Sequence, residues 1–244
     1  MREVFVTLHE RGLVYRGKYL VNWCPSCGTA LADDEVEHED EQGALHHIKY
    51  AFADGSGYIE IATTRPETLL GDTAVACHPE DERYKALVGK ELSLPLTGRT
   101  IPLIADAYVD REFGTGLVKI TPAHDPNDFE IGNRHNLEKI NILTPDGRLN
   151  ENVPEKYRGK TAKDARKAVI QDLVELGLYI EEKPMTHSVG HCYRCHTVVE
   201  PYLSEQWFVR MKPLAQKALK AWEDGEVRFF PQRWEHTYKN WLDN

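Results

Sequence analysis

The clearest pattern of apolar positions along the chain is a helical stripe between residues 162 and 176. Its apolar members recur at three- and four-residue spacing, as on one face of an α-helix: Ala165, Val169, Leu173 and Leu176. Thr161 and Asp164 have the spacing of an N-terminal capping pair, and Gly177 is typical of a helix end. The pattern therefore predicts a helix bounded on both sides by its own signals.

Weaker patterns predict a mixture of helices and short strands elsewhere. Val4, Phe5 and Leu8 share a helical face that ends before Gly12. Further helices are predicted near 81–88 and 126–134, and strands at 13–15, 19–23, 58–62, 101–104 and 117–121. This mixture predicts a mixed α/β (α+β) fold, with residues 45–185 as the main domain between flanking segments 1–44 and 186–244.

Four of the five cysteines form two Cys-x-x-Cys pairs: Cys24, Cys27, Cys192 and Cys195. Four thiolates suit a tetrahedral zinc ion, and a site with four protein ligands leaves no open position for catalytic water. We therefore expect a structural zinc site that joins the two ends of the chain. A redox role for either pair, or replacement of one cysteine by His191 or His196, are the alternatives.

Composition and charge restrict the classes of partner. The formal net charge is −9, with 41% hydrophobic and 28% charged residues. An acidic surplus disfavours a general nucleic-acid binder, because phosphates reward Lys and Arg, so any contact with RNA should be local. No apolar run approaches the ~20 residues that span a bilayer, and no secretory leader is visible. We expect a soluble, cytoplasmic monomer without membrane contacts.

Candidate chemistry is concentrated at two predicted strand-to-helix corners. The first corner is residues 63–72, TTRPETLLGD. Thr64 and Glu67 have capping-box spacing, and Pro66 suits a first helical turn. Arg65 would project beside hydroxyls and the free amides of a helix start, where negative charge is stabilised.

The second corner follows the strand at 117–121. Because side chains alternate along a strand, Lys119 and Thr121 should leave the core on the face opposite Val118 and Ile120. An alternating Lys and Thr are also typical of a solvated strand face, which is the structural alternative.

A helix start completes this second corner. Asp125 is a good N-cap, Pro126 fits the first helical position, and Asp128 falls in the first turn, so two carboxylates flank one helix start. A capping aspartate needs no further function. From spacing alone, the two corners predict a pocket that contains an acid, a base and hydroxyls.

Three segments together resemble the valyl-tRNA synthetase family, and the resemblance extends over essentially the whole chain. They are TTRPETLLGD at 63–72, FGTGLVKITPAHDPNDFEIG at 113–132, and HSVGHCYRC with the later EPYLSEQWFVRMK between 187 and 212. The resemblance implies the family's inserted editing domain, a barrel-like unit on a small zinc-knuckle stem, which hydrolyses threonine wrongly esterified to valine tRNA. Its expected partners are the 3′ end of that tRNA and the remainder of a parent synthetase.

The resemblance also implies roles for individual residues. Asp128 would bind the ammonium of the amino acid, Lys119 and Thr121 would face its side chain or a water, and Thr63 and Thr64 would hold the carbonyl oxygen. The residues expected to bind the rest of the substrate are Arg65 at the terminal adenosine or its phosphate, Phe113 stacked on adenine, and Asp125 beside Asp128. Phe113 could equally be a core residue, and Asp125 only a cap.

Some features of the family are absent from the sequence. It has neither the HIGH-type signature nor the lysine-rich loop, so we expect no ATP site and no aminoacylation. Two rivals remain: a docking module without catalysis, and an editing domain of the isoleucyl or leucyl type. Leucyl enzymes tend to carry Asp where Glu67 stands, which disfavours the second rival.

Overall fold

The computed structural model describes residues 1–243 as two compact units, one formed by 20–204 and the other by 1–19 with 205–243. The helices are α1 (Arg2–Glu10), α2 (Pro126–Arg134), α3 (Ala162–Glu175), α4 (Lys212–Glu223) and α5 (Trp234–Asp243). The strands are β1 (Val14–Cys24), β2 (Thr29–Leu31), β3 (Val36–Phe52), β4 (Tyr58–Thr63), β5 (Ala74–Cys77), β6 (Glu91–Ser93), β7 (Thr100–Ala105), β8 (Leu117–Ile120), β9 (Tyr179–Cys192) and β10 (Glu200–Val209). The predicted mixed α/β character is confirmed.

The main sheet of unit 20–204 is open. Its strands follow the order β4-β3-β6-β7-β5-β8, and β9 pairs with β3. A second, separate sheet has three strands in the order β10-β1-β2. β5 and β7 pair in parallel, and the other pairings within the main sheet, among strands β3 to β9, are antiparallel. Within residues 1–243 no ladder joins β4 to β8, so the expected barrel is not closed. Side chains of these two end strands line a common cavity instead, including Ala62 from β4 and Val118 from β8.

Helix α3 covers the core of this sheet, as its stripe predicted. Ala165, Val169 and Leu173 are buried, whereas Leu176 lies beyond the helix and is 60% exposed. The Thr161 hydroxyl accepts the backbone N–H of Asp164 at 3.2 Å, so the predicted cap is confirmed. The facing core contains large fully buried side chains: Ile48, Tyr50, Ile61, Leu92 and Leu103.

The helix predicted near 81–88 is wrong. This stretch contains only turns and a 3₁₀ helix at Lys85–Leu87. The Asp81 carboxylate accepts the backbone N–H of Arg83 at 3.0 Å, a local bond that competes with helical hydrogen bonding. The two strands expected at 13–15 and 19–23 are also different, because they are the continuous strand β1.

A long antiparallel ribbon of β3 and β9 connects the cysteine-bearing region with the main sheet. Val36 pairs with Cys192 at one end and Ile48 with Tyr179 at the other, with a bulge after His47. The predicted boundaries at 44 and 185 fall inside this ribbon, where Ala44 faces Pro184. The three-part division of the chain therefore stays a prediction.

The unit formed by 1–19 and 205–243 is held together by aromatic contacts. Phe5 meets Trp207 edge-on with ring centroids 5.8 Å apart, and Tyr19 lies 4.3 Å from Phe208. The predicted first helix is confirmed as α1, which buries no residue completely. In residues 1–243, no helix has both the length and the apolar character that crossing a bilayer requires.

Candidate functional site

A cavity of about 540 Å³ lies at the opening of the main sheet, between the end strands β4 and β8. Eight residues predicted at the two corners line it: Thr63, Thr64, Arg65, Phe113, Lys119, Thr121, Asp125 and Asp128. The predicted site residues are therefore neighbours in space, although the chain separates the two corners by more than forty positions. Tyr108, His124 and Asn127 complete part of the wall and were not singled out by the sequence patterns.

The first corner is a 3₁₀ helix, Pro66–Gly71, and not an α-helix. Pro66 does open it, as predicted, but the capping box of Thr64 with Glu67 is absent. The Thr63 hydroxyl instead accepts the backbone N–H of Arg65 at 3.1 Å. This contact uses one oxygen lone pair and leaves the O–H of Thr63 able to donate to another group.

Glu67 is buried because two arginines neutralise it. Arg166 of α3 donates to both of its oxygens, at 2.7 and 2.8 Å, and Arg65 approaches within 3.4 Å. Burial raises the pKa of Glu67, but these arginines outweigh it and the net pKa is lowered. Sequence spacing suggested a cap here, because the partner Arg166 lies 99 positions away.

Arg65 is held by carboxylates on both sides. Its guanidinium pairs with Glu200 at the start of β10 and with Glu67, and it donates to the carbonyl oxygen of His124 at 3.2 Å. The side chain is still 28% exposed and lines the cavity. Burial lowers its pKa and the two carboxylates raise it, with a net rise, so the cation is permanent.

The floor of the cavity corrects the prediction for Lys119 and Thr121. They share one face, as predicted, but this face points inward: Lys119 is 8% and Thr121 1% exposed. The Lys119 ammonium lies 3.1 Å from Oδ1 of Asp72, to which the Thr121 hydroxyl donates at 2.6 Å. A buried counter-charge therefore draws both side chains inside, which also excludes a solvated strand face.

Asp72 is the main site residue that the sequence patterns missed. It has no exposed surface, and its second oxygen accepts the Tyr50 hydroxyl at 2.8 Å. Burial raises its pKa, while Lys119, Thr121 and Tyr50 oppose that rise. The available signal was a charged residue inside the apolar run that continues from Leu69 to Cys77.

The helix start of the second corner is built as predicted. Asp125 caps α2 by accepting the backbone N–H groups of Asn127 and Asp128, at 2.8 and 3.1 Å. Asp128 is 6% exposed, and one of its oxygens accepts the backbone N–H of Thr121 at 2.8 Å. Burial, with a smaller contribution from Asp125, raises the pKa of Asp128 to about 7. An added cation would restore this carboxylate to its charged form.

His124 is a buried, neutral histidine at the back of the cavity. Burial, assisted by Arg65 and Lys119, lowers its pKa to about 3. Its Nε2 accepts the backbone N–H of Ile142 at 2.9 Å, which places the ring hydrogen on Nδ1. His124 therefore holds the backbone at Ile142 in place, and it is not a source of protons near neutral pH.

Phe113 stands at the rim and is 55% exposed, so it is not a core residue. Tyr108 is a second exposed aromatic on the same segment, at 52%. Gly114 and Gly116 adopt positive φ angles of 56° and 75°, which other residues rarely accept. Backbone turns therefore present two aromatic faces beside the cavity.

The four paired cysteines form one cluster. Their sulfurs all lie within 4.8 Å of one another, with Cys195 3.4 Å from Cys24 and 3.5 Å from Cys27. Sulfurs bound to one tetrahedral zinc at ~2.3 Å would be about 3.8 Å apart, so the cluster fits this ion. His191 is outside the set: its Nδ1 contacts the carbonyl oxygen of Val189 and its Nε2 Glu41.

Hydrogen bonding gives the thiols of the cluster unequal acidities. The pKa of Cys195 is lowered to about 6, chiefly by hydrogen bonds with Thr197. The pKa of Cys27 is raised to about 12, chiefly by its contact with Cys195. Cys77 lies apart, buried in β5.

The structure thus combines an open mixed sheet, a charge-lined cavity and a four-cysteine cluster. The sequence of the chain matches a known family over its full length. The family described as tRNA synthetases class I (I, L, M and V) matches residues 1–244, and the chain belongs to it. Among its relatives, the valine–tRNA ligase of Treponema denticola is 65% identical over 254 residues. Those of Carboxydothermus hydrogenoformans and Thermotoga maritima are 59% and 58% identical. These alignments cover 99–100% of the chain but 28% of each relative, so the chain spans less than a third of their length.

Proposed function

We propose that the chain is the editing domain of a longer valine–tRNA ligase and that it hydrolyses the ester of threonine wrongly attached to valine tRNA. The observation that carries the proposal is the cavity itself, which gathers the residues of both corners around the buried carboxylate of Asp128. Its volume of about 540 Å³ lies within the range of small-molecule sites and suits an amino acid esterified to a nucleoside.

Such a domain would correct errors that arise because a binding pocket cannot distinguish valine from threonine by size. When two amino acids have the same shape and one carries an added hydroxyl, a hydrophobic pocket discriminates between them by only about 10²-fold. This value comes from valyl-tRNA synthetases themselves. Threonine differs from valine in this way. A second site lined by hydroxyls and charges can bind the misplaced hydroxyl and destroy the wrong product.

The proposed orientation begins with Asp128. Its carboxylate is buried and has a raised pKa, so a substrate ammonium would form a charge-assisted bond that water screens little. The O–H of Thr63, with Thr64 beside it, would donate to the ester carbonyl oxygen as negative charge develops there. Arg65 and Phe113 at the cavity wall would hold the terminal adenosine and its phosphate.

Hydrolysis then needs a positioned water. The water oxygen attacks the ester carbon, the bond from that carbon to the ribose oxygen breaks, and the proton from water ends on the ribose oxygen. An aminoacyl ester is already activated, so we expect no covalent acyl-enzyme. The site holds Asp125 as a cap close to the ammonium anchor, where its charge adds to the attraction for a cation.

The cysteine cluster would serve this function indirectly. Cys24, Cys27, Cys192 and Cys195 would hold one zinc ion with four thiolates, which leaves no ligand position for water. The ion would supply structural cross-linking between residues 24–27 and 192–195. The partners that we propose are the 3′ end of valine tRNA and the rest of the synthetase, in the cytoplasm.

The experiment that tests the proposal is deacylation of threonyl and valyl esters of valine tRNA by this chain. High chain concentrations offset weak binding by an acidic fragment. Cleavage of the threonyl ester alone, lost in Asp128→Ala, supports the proposal. If the tRNA binds but neither ester is cleaved, the domain is a docking module. Cleavage of isoleucyl- or leucyl-tRNA errors instead would assign it to the related editing domains.

A further inference from the structure

His187, in strand β9 of the ribbon, lines the cavity without a partner for its ring within the described part of the chain. It faces Glu41 in the ladder, but the Glu41 carboxylate lies 3.1 Å from Nε2 of His191 instead. Nδ1 of His187 is buried and has no hydrogen-bond partner among residues 1–243. Two further ribbon histidines do approach carboxylates, His46 at Glu182 and His47 at Glu60. An ion pair therefore does not explain the position of His187.

Gly43 makes room for the His187 ring. In the ladder Gly43 faces Met185, so it is the diagonal neighbour of His187 on the other strand. A Cβ atom at Gly43 would stand 2.9 Å from Nδ1 of His187 and closer still to Cε1, which is well inside van der Waals contact. Gly43 has no positive φ, so its backbone conformation alone does not require glycine. The missing side chain at this position therefore serves the ring.

This face of the ribbon forms one wall of the cavity. Side chains alternate along a strand, and the register places Leu45, Met185 and His187 on the same face. All three line the cavity. Leu45 and Met185 offer apolar surface, and His187 is the member of the three that can donate a hydrogen bond. The wall is therefore apolar with one polar group, as is typical of small-molecule sites.

Burial decides which nitrogen of His187 carries the hydrogen. A hydrogen on the buried Nδ1 would have no acceptor, and an unpaired buried donor is costly. The neutral ring therefore carries its hydrogen on Nε2. This nitrogen is not among the buried, unpaired atoms of residues 1–243, so it remains accessible. The ribbon wall thus offers one N–H donor to a ligand.

We propose that His187 is a binding residue for the ribose of the terminal nucleotide, and that Gly43 places it. The inference rests on the proposed function, which assigns the ammonium to Asp128, the ester carbonyl to Thr63 and the adenine to Phe113. The ribose joins the ester to the base, and its free hydroxyl beside the ester is an acceptor without an assigned partner. Nε2–H of His187 donates to the oxygen of this hydroxyl.

The test compares two non-hydrolysable ligands that differ by one ribose hydroxyl. Both are amide-linked threonyl analogues of adenosine. One keeps the hydroxyl beside the amide, and the other carries hydrogen there. One net hydrogen bond between neutral groups predicts that the chain binds the hydroxyl-bearing analogue about fivefold tighter. Calorimetry or a fluorescence titration gives both dissociation constants.

Two substitutions should remove this preference by different routes. His187→Phe keeps a ring of similar shape but has no N–H, so the ratio of the two dissociation constants should fall close to one. Gly43→Ala leaves the imidazole intact but displaces it, and the ratio should fall as well. In a His187→Ala background, Gly43→Ala should change neither dissociation constant, because no ring remains to be displaced.

Gly190→Ala is the matched control. Gly190 is a glycine of the same ribbon without a positive φ, and a Cβ atom there would meet Cγ1 of Val36 at 2.8 Å. It does not line the cavity, so the preference should stay about fivefold. Thermal unfolding establishes that each variant is folded.

Loss of the preference in His187→Phe and Gly43→Ala, with retention in Gly190→Ala, supports the proposal. A folded His187→Phe variant that keeps the preference overturns it, as does equal loss in Gly190→Ala. A wild-type chain that binds the two ligands equally, or binds neither, also overturns it. A chain that shows the expected pattern but cleaves no ester would refute the hydrolysis and leave this inference standing.

Discussion

The cavity floor and the cysteine cluster are both groups of polar side chains assembled from distant segments, but they balance charge in different ways. In the floor, Lys119 faces Asp72, and two hydroxyls and Tyr50 use the remaining hydrogen-bonding capacity. In the cluster, four groups of one kind face one another, with sulfurs as close as 3.4 Å. Ionising them together would place like charges within a few ångströms.

The difference separates a site whose charges are balanced by its own side chains from a cluster of like groups that could hold an ion. The side chains of the floor hold one another in place without a ligand, so the floor is pre-organised to bind one. With the zinc ion that we propose for it, the cluster would gain stability as the cation neutralised the thiolates. Variants in the two regions should therefore have opposite signatures: those in the cavity change selectivity, and those in the cluster change folding.

The largest expected effect is loss of the cluster. Structural zinc contributes on the order of 10 kcal/mol in small domains, so Cys24→Ser or a strong chelator should sharply lower thermal stability. Hydrogen exchange should accelerate at residues 20–36 and 186–200. Cys77→Ala is the control, and it should retain one zinc per chain. Unchanged zinc content in Cys24→Ser would contradict the four-thiolate site.

The next effect concerns the buried ion pair beside the cavity. Glu67→Gln leaves Arg166 and Arg65 without a shared carboxylate. We expect a loss of about 2 kcal/mol in the free energy of unfolding, below the ~3–5 kcal/mol of fully buried pairs because Arg166 is 39% exposed. Denaturant unfolding measures this loss. Glu82→Gln, in an exposed pair with Lys85, should cost less than ~0.5 kcal/mol, and equal costs would refute the distinction.

An effect of similar size, measured on ester cleavage, is expected at Asp128. Asp128→Asn removes a charged acceptor, for which a loss of about 2 kcal/mol predicts roughly 30-fold slower threonyl ester cleavage. Asp172→Asn is the matched control: this carboxylate is 7% exposed but binds Lys156 and Tyr157 outside the cavity. The folded fraction of the Asp172→Asn variant should cleave the threonyl ester at the normal rate. A comparable loss of cleavage rate in this variant would contradict a specific role for Asp128.

The raised pKa of Asp128 gives this prediction a pH dependence. Its folded pKa of about 7 lies above the ordinary value of ~3.9, so the folded chain holds a proton that the unfolded chain releases. The contribution of Asp128 to stability therefore falls as pH rises from 4 to 7. Threonyl analogue binding should improve over pH 6 to 8 as the carboxylate ionises. Asp128→Asn should lose both trends, and retention of either would assign the titration to another group.

The smallest effect is expected at the rim. Phe113→Ala should weaken adenosine-analogue binding about fivefold, the lower end for stacking on one exposed ring, and leave thermal stability unchanged. Tyr58→Ala is the control, because Tyr58 is also 55% exposed but lies outside the cavity. Equal effects of both substitutions on binding would refute stacking at Phe113.

Local signals in the sequence were sufficient to predict the starts of α2 and α3. The caps of α2 and α3 are bonds over two or three positions, from Asp125 to Asn127 and Asp128 and from Thr161 to Asp164. Such bonds are visible in a sequence because both partners stand in the same short motif. The Cys-x-x-Cys pairs predicted their cluster for a similar reason, since thiolates in pairs have few structural uses.

The direction of Lys119 could not be predicted in this way. The alternation along β8 placed Lys119 and Thr121 on one face, but the partner that decides whether this face is wet or buried is Asp72, 47 positions away. The capping role predicted for Glu67 was wrong for the same reason, because its main partner, Arg166, is distant in the sequence. Sequence patterns predicted many members of the site but missed Asp72, and long-range ion pairs decide how these side chains are oriented.

The ribbon of β3 and β9 has a consequence for the modularity of the chain. Gln42 faces Thr186, and Gly43 faces Met185, so the incoming and outgoing strands run side by side. Paired Cα atoms in such ladders are about 5 Å apart, a gap that a two-residue turn closes. Replacing residues 44–184 by a hairpin turn would therefore keep the register of the ribbon, and it would remove the hydrogen bond from Trp23, beside Cys24, to the carbonyl oxygen of Pro145 at 2.7 Å. In evolutionary terms, the same adjacency would let a cavity-bearing segment be acquired or lost in one step.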